Sequence, residues 1–244
     1  MQRGAPSGRS CVFCRQHVDA WHPYRITGAD VSPFLRRLEP IGSNLERFAC
    51  PHCGSTDRER HLRLFFDRLG LLDSIRGGAI LHVAPEVKLG ELMRDYDLSL
   101  YVKGDLLPTD PSIQQLDLEG LPFQDETFDM VLCNHILEHV TNPTAALHEV
   151  CRVLKRGGRF VCQTPFASRL SKTFQDPLLQ SESDRLFFYG QEDHVRLFGL
   201  DIERLIVGAG FAGRLVPHTE ILSGVDPELL GVNEHEPFFD FVRP

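Results

Sequence analysis

From Ala79 onward the chain alternates short apolar runs with stretches of helical spacing, and few architectures accommodate that pattern. Ala79-Ile-Leu-His-Val-Ala84 reads as a buried strand, opened by the Gly77-Gly78 break and ended by Pro85. A helical stretch follows around Lys88 to Asp95, then a strand over Leu98 to Val102 ending at Gly104-Asp105, and a weaker one over Ile113 to Leu118. Phe128 to Cys133 is a fourth strand, Pro143 to Leu154 has helical spacing, and Arg159 to Gln163 is a fifth strand after the Gly157-Gly158 turn. A helix over Ile202 to Gly208 precedes two last strands, Phe211 to Val216 and Pro237 to Val242. Strands interleaved with helices imply a parallel α/β sheet covered on both faces.

On such a sheet, ligands bind beyond the carboxyl ends of the strands. That rule selects Ala84, Pro85 and Glu86 after the first strand, Asp105 after the second, Asp117 and Leu118 after the third, and Asn134 and His135 after the fourth. Asp105 is placed to accept hydrogen bonds from a ribose diol. Asp117 can accept from an exocyclic amine while Leu118 packs on an adenine face. His82, inside the first strand, reads as a satisfied core histidine, and His139 as a structural hydrogen-bonding residue.

The sequence here resembles the class I S-adenosylmethionine-dependent methyltransferases. The resemblance is carried by Leu121-Pro-Phe-Gln-Asp-Glu-Thr-Phe-Asp129, by Val131-Leu-Cys-Asn-His-Ile-Leu-Glu-His-Val140 and by Val153-Leu-Lys-Arg-Gly-Gly-Arg-Phe160, in that order, and covers about residues 79 to 244. It extends to a bacterial subgroup with a cysteine-knuckle head, a first strand reading like His82-Val-Ala-Pro-Glu86, and a segment like Gly190-Gln-Glu-Asp-His-Val-Arg196. It implies a Rossmann-like seven-stranded sheet and S-adenosylmethionine as cofactor. Asp105 would lie on the ribose, Asp117 and Leu118 at the adenine, and Asn134 with His135 beside the methionine moiety. One departure concerns the glycine-rich loop of the family, which is here Ala84-Pro85-Glu86 with the next glycine only at Gly90. Glu86 can then meet the cofactor's ammonium directly. Methyl transfer needs alignment and, for some acceptors, proton removal. His135 is the first candidate base, and His194 a second base or substrate ligand. Residues 166 to 190 read as a substrate-covering lid, in which Phe187-Phe188-Tyr189 either line an acceptor pocket or, for at least two of them, pack in the core.

The N-terminal third carries Cys11-x-x-Cys14 and Cys50-x-x-Cys53, which can supply four thiolates to a structural zinc. Disulfides and unligated thiols are the alternatives. The head would comprise residues 1–56, followed by an amphipathic linking helix over 57–74 with Leu62, Phe65, Phe66 and Leu69 on one stripe, and by the methyltransferase domain over 75–244. Zinc would stabilise a segment too small for its own core. The spacer between the knuckles, with Trp21, His22, Tyr24 and several arginines, can also present an aromatic and cationic surface to a base.

Composition narrows the function classes. The 244 residues are 42% hydrophobic and 25% charged with a net charge of −8, which excludes disordered and coiled-coil readings. Residues 1 to 74 hold eleven Arg, no Lys and eight acids, a net +3, against −11 in the remainder, so only the head could attract nucleic acid. The first residues lack the apolar core of a secretory signal, and no apolar run approaches a membrane span, so a cytoplasmic protein is expected. The sequence supports a methyltransferase acting on an O, N or S nucleophile of a small molecule or glycan-like metabolite. An RNA methyltransferase that grips its substrate through the zinc head, or a cofactor-binding scaffold without turnover, are the alternatives. No membrane partner is expected, and no oligomeric state is implied.

Overall fold

The computed structural model describes residues 8–25 and 31–244; the first part of the expected head and part of the spacer between the knuckles lie outside the described residues. Seven strands form one sheet: β1 (Ala79–Val83), β2 (Leu100–Asp105), β3 (Gln114–Gln115), β4 (Phe128–Cys133), β5 (Leu154–Val161), β6 (Ala212–Val216) and β7 (Phe238–Val242). Their spatial order is β3-β2-β1-β4-β5-β7-β6. The first five run parallel, and β7 is antiparallel to both of its neighbours. This mixed sheet resembles the seven-stranded arrangement implied by the sequence. Among the described residues, no helix is long and apolar enough to cross a membrane.

Alternation along the central strands divides the core between two faces. Leu81, Val83, Val131, Cys133 and Phe160 meet helices α3 (Pro143–Val153) and α5 (Ile202–Gly208) on one side. Ile80, Met130, Leu132 and Val161 meet α1 (Asp57–Leu69) and α2 (Val87–Arg94) on the other. Every residue of β1 is buried, as a central parallel strand requires.

Helix α1 begins at a capping box in which the Thr56 hydroxyl accepts from the Glu59 amide and the Glu59 carboxylate accepts from the Thr56 amide. It ends at Gly70 in the left-handed region. Leu62, Phe65 and Phe66 are buried as expected, but Leu69 is 39% exposed. The chain turns at Gly70, and Leu71 and Leu72 fill the core in its place.

Two further expectations are corrected. The third strand is only Gln114–Gln115, because the Asp117 carboxylate accepts from the Glu119 amide and turns the chain off the sheet edge. Gly157 and Gly158 do not precede the fifth strand but lie inside it, where the register with β4 shifts and Gly157 takes φ +75°. The aromatic trio packs, in keeping with the second of the two readings its sequence allows. Phe187 and Phe188 at the end of α4 (Glu182–Tyr189) meet Phe34 of the helical turn Pro33–Leu38, and Tyr189 meets Phe174. The residues expected to form a lid are thus stitched to the head, with Phe166–Ala167 also pairing antiparallel with Pro40–Ile41.

Arg60 joins the head to the rest. It is fully buried and donates to the carbonyls of Arg47 and Ser55 in the head, and of Leu230 and Gly231 near the C-terminus. Its guanidinium lies 4.0 Å from the Trp21 ring centroid. Trp21 is therefore buried, not displayed for stacking on a base, and its other side faces Gly231. A Cβ at Gly231 would lie 2.4 Å from Trp21, at a backbone φ of +62°. Gly77 has a comparable φ of +73° but opens onto free space. Gly231→Ala is expected to destabilise the fold by about 2–4 kcal/mol, strain and overpacking together, and Gly77→Ala by only about 1 kcal/mol from strain. Chemical unfolding of both variants checks the difference.

Candidate functional site

The two central strands end in the same unusual way. Just past β1, Ala84 adopts φ +45°, and two residues past β4, His135 adopts φ +53°, both in the left-handed region that L-residues rarely occupy. Ala84 thus holds without a glycine a conformation that glycine would adopt freely, and its amide donates 2.7 Å to the Gly104 carbonyl of β2. The His135 amide donates 2.7 Å to the Gln163 carbonyl beyond β5.

Between these turns lies Glu86. Its Oε2 is 2.6 Å from His82 Nε2, and its Oε1 accepts from Asn134 Nδ2 at 3.1 Å. His82 is completed by the Tyr101 hydroxyl at 2.9 Å from Nδ1, so it is a satisfied core histidine, as expected. Asn134 in turn accepts from the Gln163 amide at 3.0 Å. Burial pushes the Glu86 carboxyl up, but the His82 hydrogen bond and charge outweigh it and hold the group below the usual carboxylate range.

Two cavities open over these strand ends and share Ala84, His135, His139 and Asp193 as a common wall. One, of about 420 Å³, brings Asp105, Asp117 and Leu118 together, with Leu106 and Ile136 as apolar lining. One oxygen of Asp105 accepts from the Leu107 amide at 2.9 Å, and Asp117 Oδ1 accepts from the Glu119 amide at 2.9 Å. The other, of about 270 Å³, is lined by Glu86, Asn134, Glu138 and His194 from the expected ligand-binding end, and by Tyr24, Phe48 and Arg58 from the head and α1. Pro85 lines neither cavity.

The second cavity holds several groups held neutral by burial. His135 lies well below its ordinary value because burial and the nearby positive charge of Arg58 disfavour the imidazolium; its Nε2 has no hydrogen-bond partner among the described residues. His194 is brought down to about 4, first by burial and then by His139, and its Nδ1 lies 3.1 Å from the Tyr189 carbonyl. Glu138, 1% exposed, is pushed up to about 8 by burial. The His139 ring makes a hydrogen-bonding contact, though with a distant segment and not within its own turn, Nδ1 being 3.3 Å from the Asp193 carbonyl.

Sequence reasoning missed Tyr24, Phe48, Arg58, Glu138 and Asp193 as cavity residues. Arg58 carried a signal, standing in an Arg-rich helix start, but nothing in the chain order announced that this turn would face the tips of β1 and β4.

In the head, one ligating atom from each of Cys11, Cys14, Cys50 and Cys53 lies within 4.8 Å of the others. The Sγ separations of 3.7 Å for Cys11–Cys53 and 3.9 Å for Cys14–Cys50 are far beyond a disulfide bond. They match the edge of about 3.8 Å of a tetrahedron with Zn–S distances near 2.3 Å. Burial pushes Cys14 up to about 12, whereas hydrogen bonds from the Ser55 hydroxyl and amide bring Cys53 down to about 7 against burial. His17 and His52 stay outside the cluster, the His52 ring meeting the His17 carbonyl at 2.9 Å.

Residues 88–162 match the family model described as a methyltransferase domain. The chain is 35% identical over 83 residues to the uncharacterized methyltransferase YcgJ of Bacillus subtilis (strain 168), covering 34% of this chain and 30% of that protein. It is 30% identical over 178 residues to the ubiquinone biosynthesis O-methyltransferase of Maricaulis maris (strain MCS10), covering 70% of this chain and 65% of that one. Among solved structures, the 1,6-didemethyltoxoflavin-N1-methyltransferase of Burkholderia thailandensis, with bound 1,6-didemethyltoxoflavin and S-adenosylhomocysteine, aligns at a TM-score of 0.48 and 13% identity, covering 74% of this chain and 77% of that one. The chain spans less than a third of the length of the first curated relatives it matches.

The bonds around Glu86 give a signed pH dependence. A carboxyl held low contributes stability above its ordinary value near 4.3, and loses it as pH falls through the depressed value. Glu86→Gln is expected to cost about 1.5–3 kcal/mol at neutral pH. The gap to wild type should narrow as denaturation is repeated at lower pH, and a gap independent of pH would contradict the assignment.

Proposed function

We propose that this chain is an S-adenosylmethionine-dependent methyltransferase whose adenosyl group occupies the larger cavity and whose methionine moiety reaches into the smaller one. The observation that carries the reading is that Asp105, Asp117 and Leu118 line one cavity that adjoins, with Ala84 and His135 in common, a second one containing Glu86 and Asn134. In this reading Asp105 accepts from the ribose hydroxyls, Asp117 from the adenine amine, and Leu118 packs on the adenine face. The backbone of Ala84 and Pro85 forms the turn beneath the methionine. Glu86 accepts from the cofactor ammonium with its remaining lone pairs. Arg58, whose Nε has no hydrogen-bond partner among the described residues, faces the cofactor carboxylate.

The cofactor supplies an electrophilic methyl group on a sulfonium, and the chain aligns a nucleophile with it and excludes water. His135 stands on the wall common to both cavities. We assign it to the acceptor, its neutral Nε2 receiving the acceptor's hydrogen bond. Tyr24 and Phe48 wall the acceptor space, which suits a small planar or cyclic molecule bearing an O, N or S nucleophile. The burial of Trp21 and Arg60 against each other removes two of the residues an RNA-gripping head would use. The match of residues 88–162 to a methyltransferase domain supports the same reading.

The four thiols of the head suit a structural zinc, with Cys11, Cys14, Cys50 and Cys53 as ligands. The ion closes the two knuckles around the buried Cys11, Val18, Trp21 and Cys50.

Isothermal calorimetry tests the reading. S-adenosylhomocysteine should bind wild type, and Asp105→Ala should weaken it by about 1.5–3 kcal/mol. Absence of binding at millimolar ligand would overturn the assignment, and an unchanged affinity in the variant would remove Asp105 from the ribose. Cofactor binding with no methylation of any small-molecule fraction would favour the scaffold alternative. For the head, metal analysis should find a tightly held zinc that Cys14→Ser loses along with thermal stability, and metal-free protein of undiminished stability would contradict it.

A further inference from the structure

The lining of the smaller cavity contains donors that methyl transfer does not use. Both carboxylate oxygens of Glu138 are buried and without a hydrogen-bond partner among the described residues. A carboxyl group removed from water in this way is costly unless it is paired or ligates an ion. Three imidazoles adjoin it, the nearest being His135, whose Nδ1 is 3.4 Å from Glu138 Oε1 without making a hydrogen bond; the other two can serve as ligands beside it. His194 Nε2 is 3.9 Å from Glu138 Oε1, while its Nδ1 faces the Tyr189 carbonyl at 3.1 Å. His139 Nδ1 faces the Asp193 carbonyl at 3.3 Å and the Asp193 carboxylate at 3.4 Å. With Nδ1–H donated to an oxygen, each ring carries its lone pair on Nε2, which is how outer-shell acceptors orient metal-bound histidines.

One ligating atom from each of Glu138, His139 and His194 lies within 4.8 Å of the other two. Closing them by about 1 Å would place all three around an ion with ligand distances near 2.1 Å. We propose that Glu138, His139 and His194 form a divalent transition-metal site whose open positions face the cavity and take a hydroxyl oxygen of the methyl acceptor. Two imidazoles and one carboxylate select a first-row ion such as zinc, iron or manganese over magnesium or calcium, which favour oxygen ligands alone. The acceptor chemistry rests on the methyltransferase reading; the ion site itself does not.

Coordination lowers the pKa of the hydroxyl, and its proton leaves to water at the cavity mouth. The oxygen lone pair then forms the bond to the methyl carbon as the S–CH3 bond breaks. That bonding pair stays on sulfur, leaving S-adenosylhomocysteine and the methyl ether. The assignment narrows the acceptor from an O, N or S nucleophile to a hydroxyl compound.

Cobalt(II) titration of the full-length protein, followed by visible absorption, tests the site. Cobalt in the Glu138 site should give weak d–d bands, whereas cobalt in the cysteine head would show an intense sulfur-to-cobalt band. Glu138→Gln and His194→Ala should each weaken the d–d component about tenfold or more. His139→Ala, changing a ring that is 31% exposed, provides the same test should a buried substitution prevent folding. S-adenosylhomocysteine affinity measured on the wild-type protein reports on the cofactor site separately. No d–d bands, or bands that none of these substitutions changes, with cofactor binding intact, would overturn the ion site and leave the methyltransferase reading standing. Bands lost on substitution, in a protein that binds no cofactor, would support the ion site and overturn the acceptor assignment.

Discussion

The Glu86 carboxylate, held between His82 and Asn134, is the interaction on which the rest of the site depends. His82 belongs to β1 and Asn134 follows β4, so one side chain locks the ends of two neighbouring strands at a fixed height. Each strand end then turns through a left-handed residue, Ala84 or His135. Such turns cost on the order of 1–3 kcal/mol each and persist only where the surroundings hold them. Here those surroundings include the Gly104 carbonyl, the Gln163 carbonyl and the Glu86 network. A glycine-rich loop, as in the methyltransferases that the sequence resembles, would meet the same steric problem with residues that bear no Cβ. This chain keeps the turn and forgoes the glycine, which leaves Glu86 as a charged group where the cofactor ammonium is proposed to lie.

The head is more than a stabilising appendage. Arg60 reaches from the first turns of α1 to carbonyls on both sides of the seam, and Trp21 packs against its guanidinium and against Gly231. Once docked, the head delivers Tyr24 and Phe48 to the wall of the smaller cavity, and α1 delivers Arg58. A knuckle motif that secures the head therefore also fixes the shape of the space where an acceptor would sit. Phe34 extends this coupling to the aromatic end of α4.

Much of the sheet was legible in the residues because its central strands are buried on both faces and read as unbroken apolar runs, as in Phe128 to Cys133. The third strand reads longer than it is because Leu116 and Leu118 continue an apolar pattern past its last residue, with Leu118 turned into the larger cavity. The Gly157-Gly158 pair reads as a turn because a bulge inside a strand carries the same glycine signal. Glu86, Asp105, Asp117 and His135 could be selected because the strand-end rule depends on local order alone. Tyr24, Phe48 and Arg58 could not, since their place depends on how a distant segment docks. Glu138 was visible beside His139, but its burial without a partner is a property of the folded packing.

Whether the two cavities that share His135 form one cofactor and acceptor site is decided by a crystal structure with S-adenosylhomocysteine. Adenine should lie against Leu118 and the ribose hydroxyls on Asp105, with sulfur beside His135 and its open side toward Tyr24 and Phe48. Density for the ligand elsewhere on the sheet, or an adenosyl group turned away from Asp105 and Asp117, would contradict this arrangement.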